Sequence, residues 1–76
     1  MKSEMKKAKS SIKQKIEAAV SHKDLSALGF YNGNVDITEA INFAYIADSY
    51  GLKENQYERL IDYGQKLAEK AVNKII

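Results

Sequence analysis

The chain has 76 residues, no cysteine, no proline and a formal net charge of +2. A domain of this size buries only about 60% of the surface that its unfolded chain exposes, so its core is small. The lack of cysteine excludes disulfides and thiolate metal clusters, and no apolar run approaches the roughly 18–20 residues of a membrane span. The basic N-terminal residues precede no continuous apolar segment, which argues against a secretory signal. Apolar residues at helical spacing predict one all-α domain over residues 1–76, located in the cytoplasm.

The first predicted helix covers residues 4–20. Its apolar residues recur every three or four positions and so share one face; they are Met5, Ala8, Ile12, Ile16, Ala19 and Val20. A lysine ridge runs beside that face, formed by Lys2, Lys6, Lys9 and Lys13. Such a ridge suits a nucleic-acid backbone, an anionic membrane surface or an acidic protein, and it is also typical of an ordinary solvent-facing helix. Because this helix has no Trp or Phe anchor, no membrane partner is expected.

A short second helix is predicted over residues 22–28. Ser21 and Asp24 have the spacing of a capping box, and Gly29 is of the residue type that commonly ends helices. One long first helix that continues through Leu28 is the alternative. The next residues, 30–35 (FYNGNV), are predicted to be a loop, because Asn-Gly tolerates positive φ.

Two more helices are predicted, over residues 37–50 and 54–75. The first has capping-box spacing at Asp36 and Glu39 and is apolar nearly all round. The last helix is expected to begin with a cap at Asn55, and its apolar stripe includes Gly64, which predicts close approach of another helix there. The expected fold is a bundle of three long helices plus a short one. Because the last stripe extends beyond a thin core, a homodimer is also expected.

Charge is segregated along the chain. Residues 1–25 carry seven lysines against three acidic residues, a net charge of +4. Residues 26–62 carry two basic residues against six acidic ones, a net charge of −4, and residues 63–76 have a net charge of +2. All five tyrosines lie between residues 31 and 63. An acidic, tyrosine-rich surface is more typical of protein recognition than of nucleic-acid recognition.

Residues 43–62 resemble a helix-turn-helix motif. Ala47 is the small residue of the first helix, Gly51 follows four positions later at the turn, and apolar slots are filled by Ile46, Tyr50, Leu52, Tyr57 and Leu60. The resemblance implies a DNA-binding transcriptional regulator. Its nucleic-acid contacts would come from Lys53, Asn55, Arg59, Lys6, Lys9 and Lys13. The same residue pattern is also found where an antiparallel helix pair turns a tight corner.

The acidic residues of this segment favour a protein partner over DNA. Glu54, Glu58 and Asp62 recur every four residues on the surface that would meet DNA, and carboxylates there repel phosphate. The leading hypothesis is therefore a non-catalytic regulator or inhibitor that binds another protein, with DNA binding through residues 43–62 as the alternative. The predicted partner-binding residues are Tyr45, Tyr50, Glu54, Tyr57, Glu58 and Asp62.

No enzymatic activity is expected. His22 is the only histidine, and no serine or cysteine nucleophile motif accompanies it. No metal or other cofactor is expected either. Asn32, Asn34 and Asp36 have the alternating oxygens of a calcium loop, but Ile37 occupies the position that requires glycine.

Overall fold

The computed structural model of the protein describes residues 2–76, with side chains from Glu4 onward. Two long helices enclose a segment that contains a hairpin, two single turns of 3₁₀ helix and a short helix. In chain order the elements are α1 (Lys2–Ser21), the first 3₁₀ turn (Ser26–Leu28), β1 (Phe30–Tyr31), β2 (Asn34–Val35), the second 3₁₀ turn (Ile37–Glu39), α2 (Phe43–Ser49) and α3 (Glu54–Ile75). The largely helical class is confirmed. The bundle of three long helices is not, since α2 is short and a small sheet is present.

The two long helices pack side by side and run in the same direction. Ile12 of α1 lies beside Gly64 of α3, and the Lys9 ammonium lies 5.3 Å from the centre of the Tyr63 ring. Further along both helices, Val20 and Ala71 line one cleft. Because residue numbers rise together along α1 and α3, the segment between them returns from the end of α1 to the start of α3.

The core lies between these two helices and the returning segment. The largest side chains with no exposed surface come from all three parts: Ile12, Leu28, Ile37 and Leu60. The predicted stripe of α1 is buried at Ala8, Ile12, Ile16 and Ala19. The stripe of α3 is buried at Leu60, Gly64, Ala68, Ala71 and Val72. Helical periodicity therefore identified the inward faces of both long helices.

The short helix predicted over residues 22–28 is wrong, because only the 3₁₀ turn Ser26–Leu28 forms there. Lys23 has a left-handed backbone with φ of 52°, which ends α1 and also excludes a long helix through Leu28. Asp24 caps the turn, accepting hydrogen bonds from Ser26 Oγ at 2.7 Å and from the Ala27 N–H at 3.3 Å. These two bonds stabilise the carboxylate and hold the pKa of Asp24 below its usual value.

Residues 30–35 form a β-hairpin where a loop was predicted. Phe30 pairs with Val35 and Tyr31 with Asn34 in antiparallel register. The turn residues Asn32 and Gly33 have φ of 52° and 82°, and two positive φ values give a turn whose twist matches that of the flanking strands. Strands of two residues are too short to show an alternating pattern, so the sequence revealed the turn and not the pairing.

The continuous helix predicted over residues 37–50 is also wrong. The chain breaks after the second 3₁₀ turn, and α2 starts anew because Asn42 Oδ1 accepts a hydrogen bond from the Tyr45 N–H at 3.1 Å. A straight surface helix buries one face only. The break lets apolar residues that would point in different directions reach the same core, namely Ile37, Ile41, Phe43 and Ile46.

Gln65 ties the returning segment to α3. Its Oε1 accepts a hydrogen bond from the Ile37 N–H at 2.9 Å, and its Nε2 donates to the Val35 carbonyl oxygen at 2.7 Å. Both bonds are partly buried, so leaving either backbone group unpaired would be costly. One α3 side chain thus fixes the end of the hairpin and the start of the second 3₁₀ turn.

Candidate interaction surfaces

The corner between α2 and α3 is a short turn that joins two helices, at the position of the predicted helix-turn-helix. Four residues, 50–53, separate the helices, which is the usual length of such a turn. Gly51 has a φ of 65°, and the Leu52 N–H donates to the Ala47 carbonyl oxygen at 2.9 Å. The cap expected at Asn55 is wrong: α3 begins at Glu54, because Gln56 Oε1 accepts a hydrogen bond from the Lys53 N–H at 2.9 Å.

The residues predicted to read DNA are exposed at the start of α3. Lys53, Asn55 and Arg59 line a cleft of about 460 Å³ that Glu4 of α1 also lines. Glu54 and Glu58 are exposed on the same turns of the helix. A duplex placed against this end would therefore meet three carboxylates and two cations, which weakens the electrostatic term that dominates DNA affinity.

The predicted partner-binding residues are divided between two sides of α3. Tyr57 lines a shallow cleft of about 440 Å³, called here the tyrosine cleft, whose residues are Thr38, Glu39, Ala40, Ile41, Asn42, Phe43, Ala44 and Tyr57. Glu58 and Asp62 line a different cleft next to α1, together with Lys9, Asn55, Arg59, Tyr63 and Lys66. Asp62 also forms an ion pair with Lys66, with Oδ2 3.1 Å from Nζ. The structure therefore does not gather all six residues into one patch.

Tyr45 is the most accessible of the three tyrosines in that prediction. Its side chain is 70% exposed, and it follows Ala44 of the tyrosine cleft directly in sequence. Tyr50 and Tyr57 are half-buried and pack against the core. Glu54 lies three residues before Tyr57 on α3, so the two share a face of that helix. Tyr45, Tyr57 and Glu54 remain available to a partner, whereas Tyr50 contributes mainly to packing.

Lys9 and Lys13 of the lysine ridge border a groove between α1 and α3, whereas the side chain of Lys2 lies outside the described residues. Lys9 lies over the Tyr63 ring, and Lys13 lines a cleft of about 230 Å³, called here the lysine cleft. The other residues of the lysine cleft are Ile16, Glu17, Val20, Leu67, Lys70, Ala71 and Lys74. Lys6 is exposed but lines none of these clefts. Lysines from both long helices therefore meet along one groove.

Sequence reasoning did not place Lys66, Lys70 and Lys74 in any site. Their spacing of four residues was the available signal, since it predicts a cationic row on one side of a helix. The spacing does not show whether a neighbouring helix runs parallel or antiparallel. Only the parallel packing of α1 and α3 brings Lys13 to Lys70 and Lys74.

Among the residues that the structure describes, no three His, Cys, Asp or Glu side chains come together as metal ligands would, and no helix is long and apolar enough to cross a membrane. No protein-family model matches the chain, and no curated protein or solved structure is significantly similar to it.

Proposed function

We propose that the protein is a non-catalytic regulator or inhibitor that acts in the cytoplasm by binding another protein. The binding surface is the tyrosine cleft together with the acidic start of α3. The observation that carries the proposal is the cleft itself, in which the half-buried Tyr57 offers apolar contact and the exposed Glu39 offers a carboxylate. Tyrosine buries a large area at low entropic cost, and a concave surface lets it contact a partner from the side.

The charge around the cleft indicates the chemistry of the partner. Glu54 shares a face of α3 with Tyr57, Glu58 lies on the side of α3 next to α1, and both carboxylates are exposed. Carboxylates at the rim of an apolar contact speed association with a basic surface and fix its orientation, while contributing less to affinity than the buried anchors. The partner would therefore present an apolar side chain to the cleft with lysine or arginine beside it.

The test is a pull-down from a lysate of the source organism, with and without nuclease. We expect a protein to be captured equally well in both cases. Glu54→Gln with Glu58→Gln should weaken capture several-fold, because two carboxylates at the start of α3 that would attract a basic partner are lost. The matched control is Glu17→Gln with Glu69→Gln, which removes two exposed carboxylates that lie further along α1 and α3, away from the start of α3. Equal loss in both double variants, or capture abolished by nuclease, would contradict the proposal.

A DNA-binding regulator is the second candidate, favoured by the four-residue turn between α2 and α3. Arg59 and Asn55 would then contact guanine and adenine edges. On this hypothesis Arg59→Ala loses about 1–3 kcal/mol of sequence discrimination. Glu54→Gln with Glu58→Gln strengthens DNA binding, because two charges that repel phosphate are removed. A gel-shift titration in physiological salt measures DNA binding, and the pull-down measures protein capture. The two candidates are distinguished because the same double variant should strengthen DNA binding in one case and weaken protein capture in the other.

A further inference from the structure

The lysine cleft combines an apolar floor with a cationic rim. Ile16 and Ala71 form the deepest part and are each 4% exposed, while Val20 and Leu67 are half-buried above them. The exposed residues around this floor are Lys13, Glu17, Lys70 and Lys74. Lys13 stands on the α1 side, and the other two lysines stand on the α3 side. The floor is therefore flanked by positive charge on both walls.

The three lysines of the cleft are neutralised only in part by the protein. Lys13, Lys70 and Lys74 form no ion pair with any side chain that the structure describes, whereas Lys66 pairs with Asp62. Among the residues that the structure describes, Glu17 is the only carboxylate that lines the cleft, so the rim carries a net charge of +2. An occupant with carboxylates at its edges would relieve the repulsion among the lysines and gain favourable charge pairs.

The size of the cleft indicates what can fill it. Sites for small molecules usually have volumes of about 300–1,000 Å³, and this one has about 230 Å³. That volume suits one or two aliphatic side chains of a larger partner. The cleft contains no aromatic side chain on which a nucleic-acid base would stack. It also lies between two parallel helices, whose walls form a groove that suits a third helix.

We propose that the lysine cleft is a docking site for an acidic amphipathic helix of another protein. Aliphatic residues on one face of that helix would occupy the floor, and its acidic residues four positions apart would meet Lys70 and Lys74, which have the same spacing. The site lies next to α1, on a different side of α3 from the tyrosine cleft. The protein can then hold two partners at once, one basic and one acidic.

The test uses a synthetic peptide of about 18 residues, roughly five helical turns. It carries leucines at helical spacing and flanking glutamates four residues apart, with both ends capped and a fluorescent label attached. Fluorescence anisotropy of the labelled peptide should show binding at micromolar concentrations of the protein. Lys70→Gln with Lys74→Gln should weaken binding about tenfold. The matched control is Lys15→Gln with Lys53→Gln, which removes two exposed lysines outside the cleft and should change binding less than about twofold.

Three outcomes would overturn the proposal. The first is equal binding of a scrambled peptide of the same composition, which has no apolar face. The second is an equal loss of affinity in the two double variants, with circular dichroism showing both to be folded. The third is a single-stranded oligonucleotide or laurate binding the cleft more tightly than the peptide does. Glu54→Gln with Glu58→Gln should leave peptide binding unchanged, so this proposal and the proposed function can fail separately.

Discussion

Gly64 lies where all three α-helices meet. A Cβ atom added there would lie 2.8 Å from Phe43 Cζ and 3.2 Å from Ile12 Cγ2, and both neighbours are buried. We predict that Gly64→Leu lowers the free energy of unfolding by about 1–3 kcal/mol, because overpacking outweighs the gain in helix propensity. Chemical denaturation followed by circular dichroism measures the change.

The cause of that loss can be separated from a general effect of leucine. Asn73→Leu places the same side chain on an exposed position of α3 and should change stability little. The double variant Phe43→Leu with Gly64→Leu should lose less stability than the sum of the two single variants. Leucine at position 43 is smaller than phenylalanine and therefore relieves the clash with leucine at position 64. A higher melting temperature for Gly64→Leu would show that the helices do not approach closely at this position.

Two neighbouring residues of α3 show which structural roles can be predicted from the sequence and which cannot. The packing role of Gly64 followed from its place on an apolar stripe, which depends only on local spacing. The role of Gln65 did not, because its hydrogen-bond partners Val35 and Ile37 lie about thirty residues away in the chain. A polar residue beside an apolar stripe resembles any solvent-facing one until the tertiary structure places backbone groups next to it.

Two glycines of the hairpin region, one just before β1 and one in the turn, allow the role of close packing in this element to be tested. Gly29 and Gly33 have φ of 73° and 82°, so alanine is strained at both. Around Gly33 there is no atom within 4 Å of an added Cβ, whereas at Gly29 the Cβ would overlap the Asp36 carbonyl oxygen. We predict that Gly33→Ala costs about 1 kcal/mol and that Gly29→Ala costs at least about 2 kcal/mol more.

Thermal unfolding of both alanine variants measures that difference. The larger cost at Gly29 has a specific cause, because its carbonyl oxygen accepts the Asp36 N–H at 2.8 Å and the two chain segments cannot separate without losing this bond. Equal destabilisation of the two variants would mean that backbone strain alone matters and that the close approach at Gly29 is unimportant.

The elements differ in how far the sequence predicts them. α1 and α3 were predicted nearly to their ends, because each has one apolar face and one charged face. The segment 37–50 misled the prediction, since a pattern that is apolar all round defines no face and does not show where a helix must break. Asn42 was available as a capping residue, but it stands between Ile41 and Phe43, inside an apolar run.

For the whole molecule, the expected homodimer remains a prediction. The accessible surface is 5235 Å², and its exposed large apolar side chains include Tyr31, Tyr45 and Ile76. A standard interface buries about 800 Å² per partner, which is roughly 15% of this surface. We predict a dimer at micromolar concentration. Light scattering over a dilution series measures the mass, and a monomer mass up to the highest concentration would contradict it.

The candidate surfaces were predicted in part. The acidic and basic segments of the chain were evident from composition, yet their distribution over the folded surface depends on how the helices pack. Glu58 and Asp62 were expected beside Tyr57, but they line a cleft with Lys9 and Lys66. The relative direction of α1 and α3 determines which of their residues lie side by side. Neither the spacing of apolar residues nor the charge along the chain reveals that direction.

The parallel packing of α1 and α3 also affects how fast the protein can fold. Ile12 and Gly64 lie about fifty residues apart in the chain, so the main helix–helix contact is non-local and should slow folding relative to bundles of sequential helices. At about 5–20 residues per second, a ribosome needs roughly 3–10 s to add those residues. During that time the face of α1 that packs against α3 lacks that helix, and we expect the exposed charges of Lys13 and Lys15 to limit association of the nascent helix with other chains.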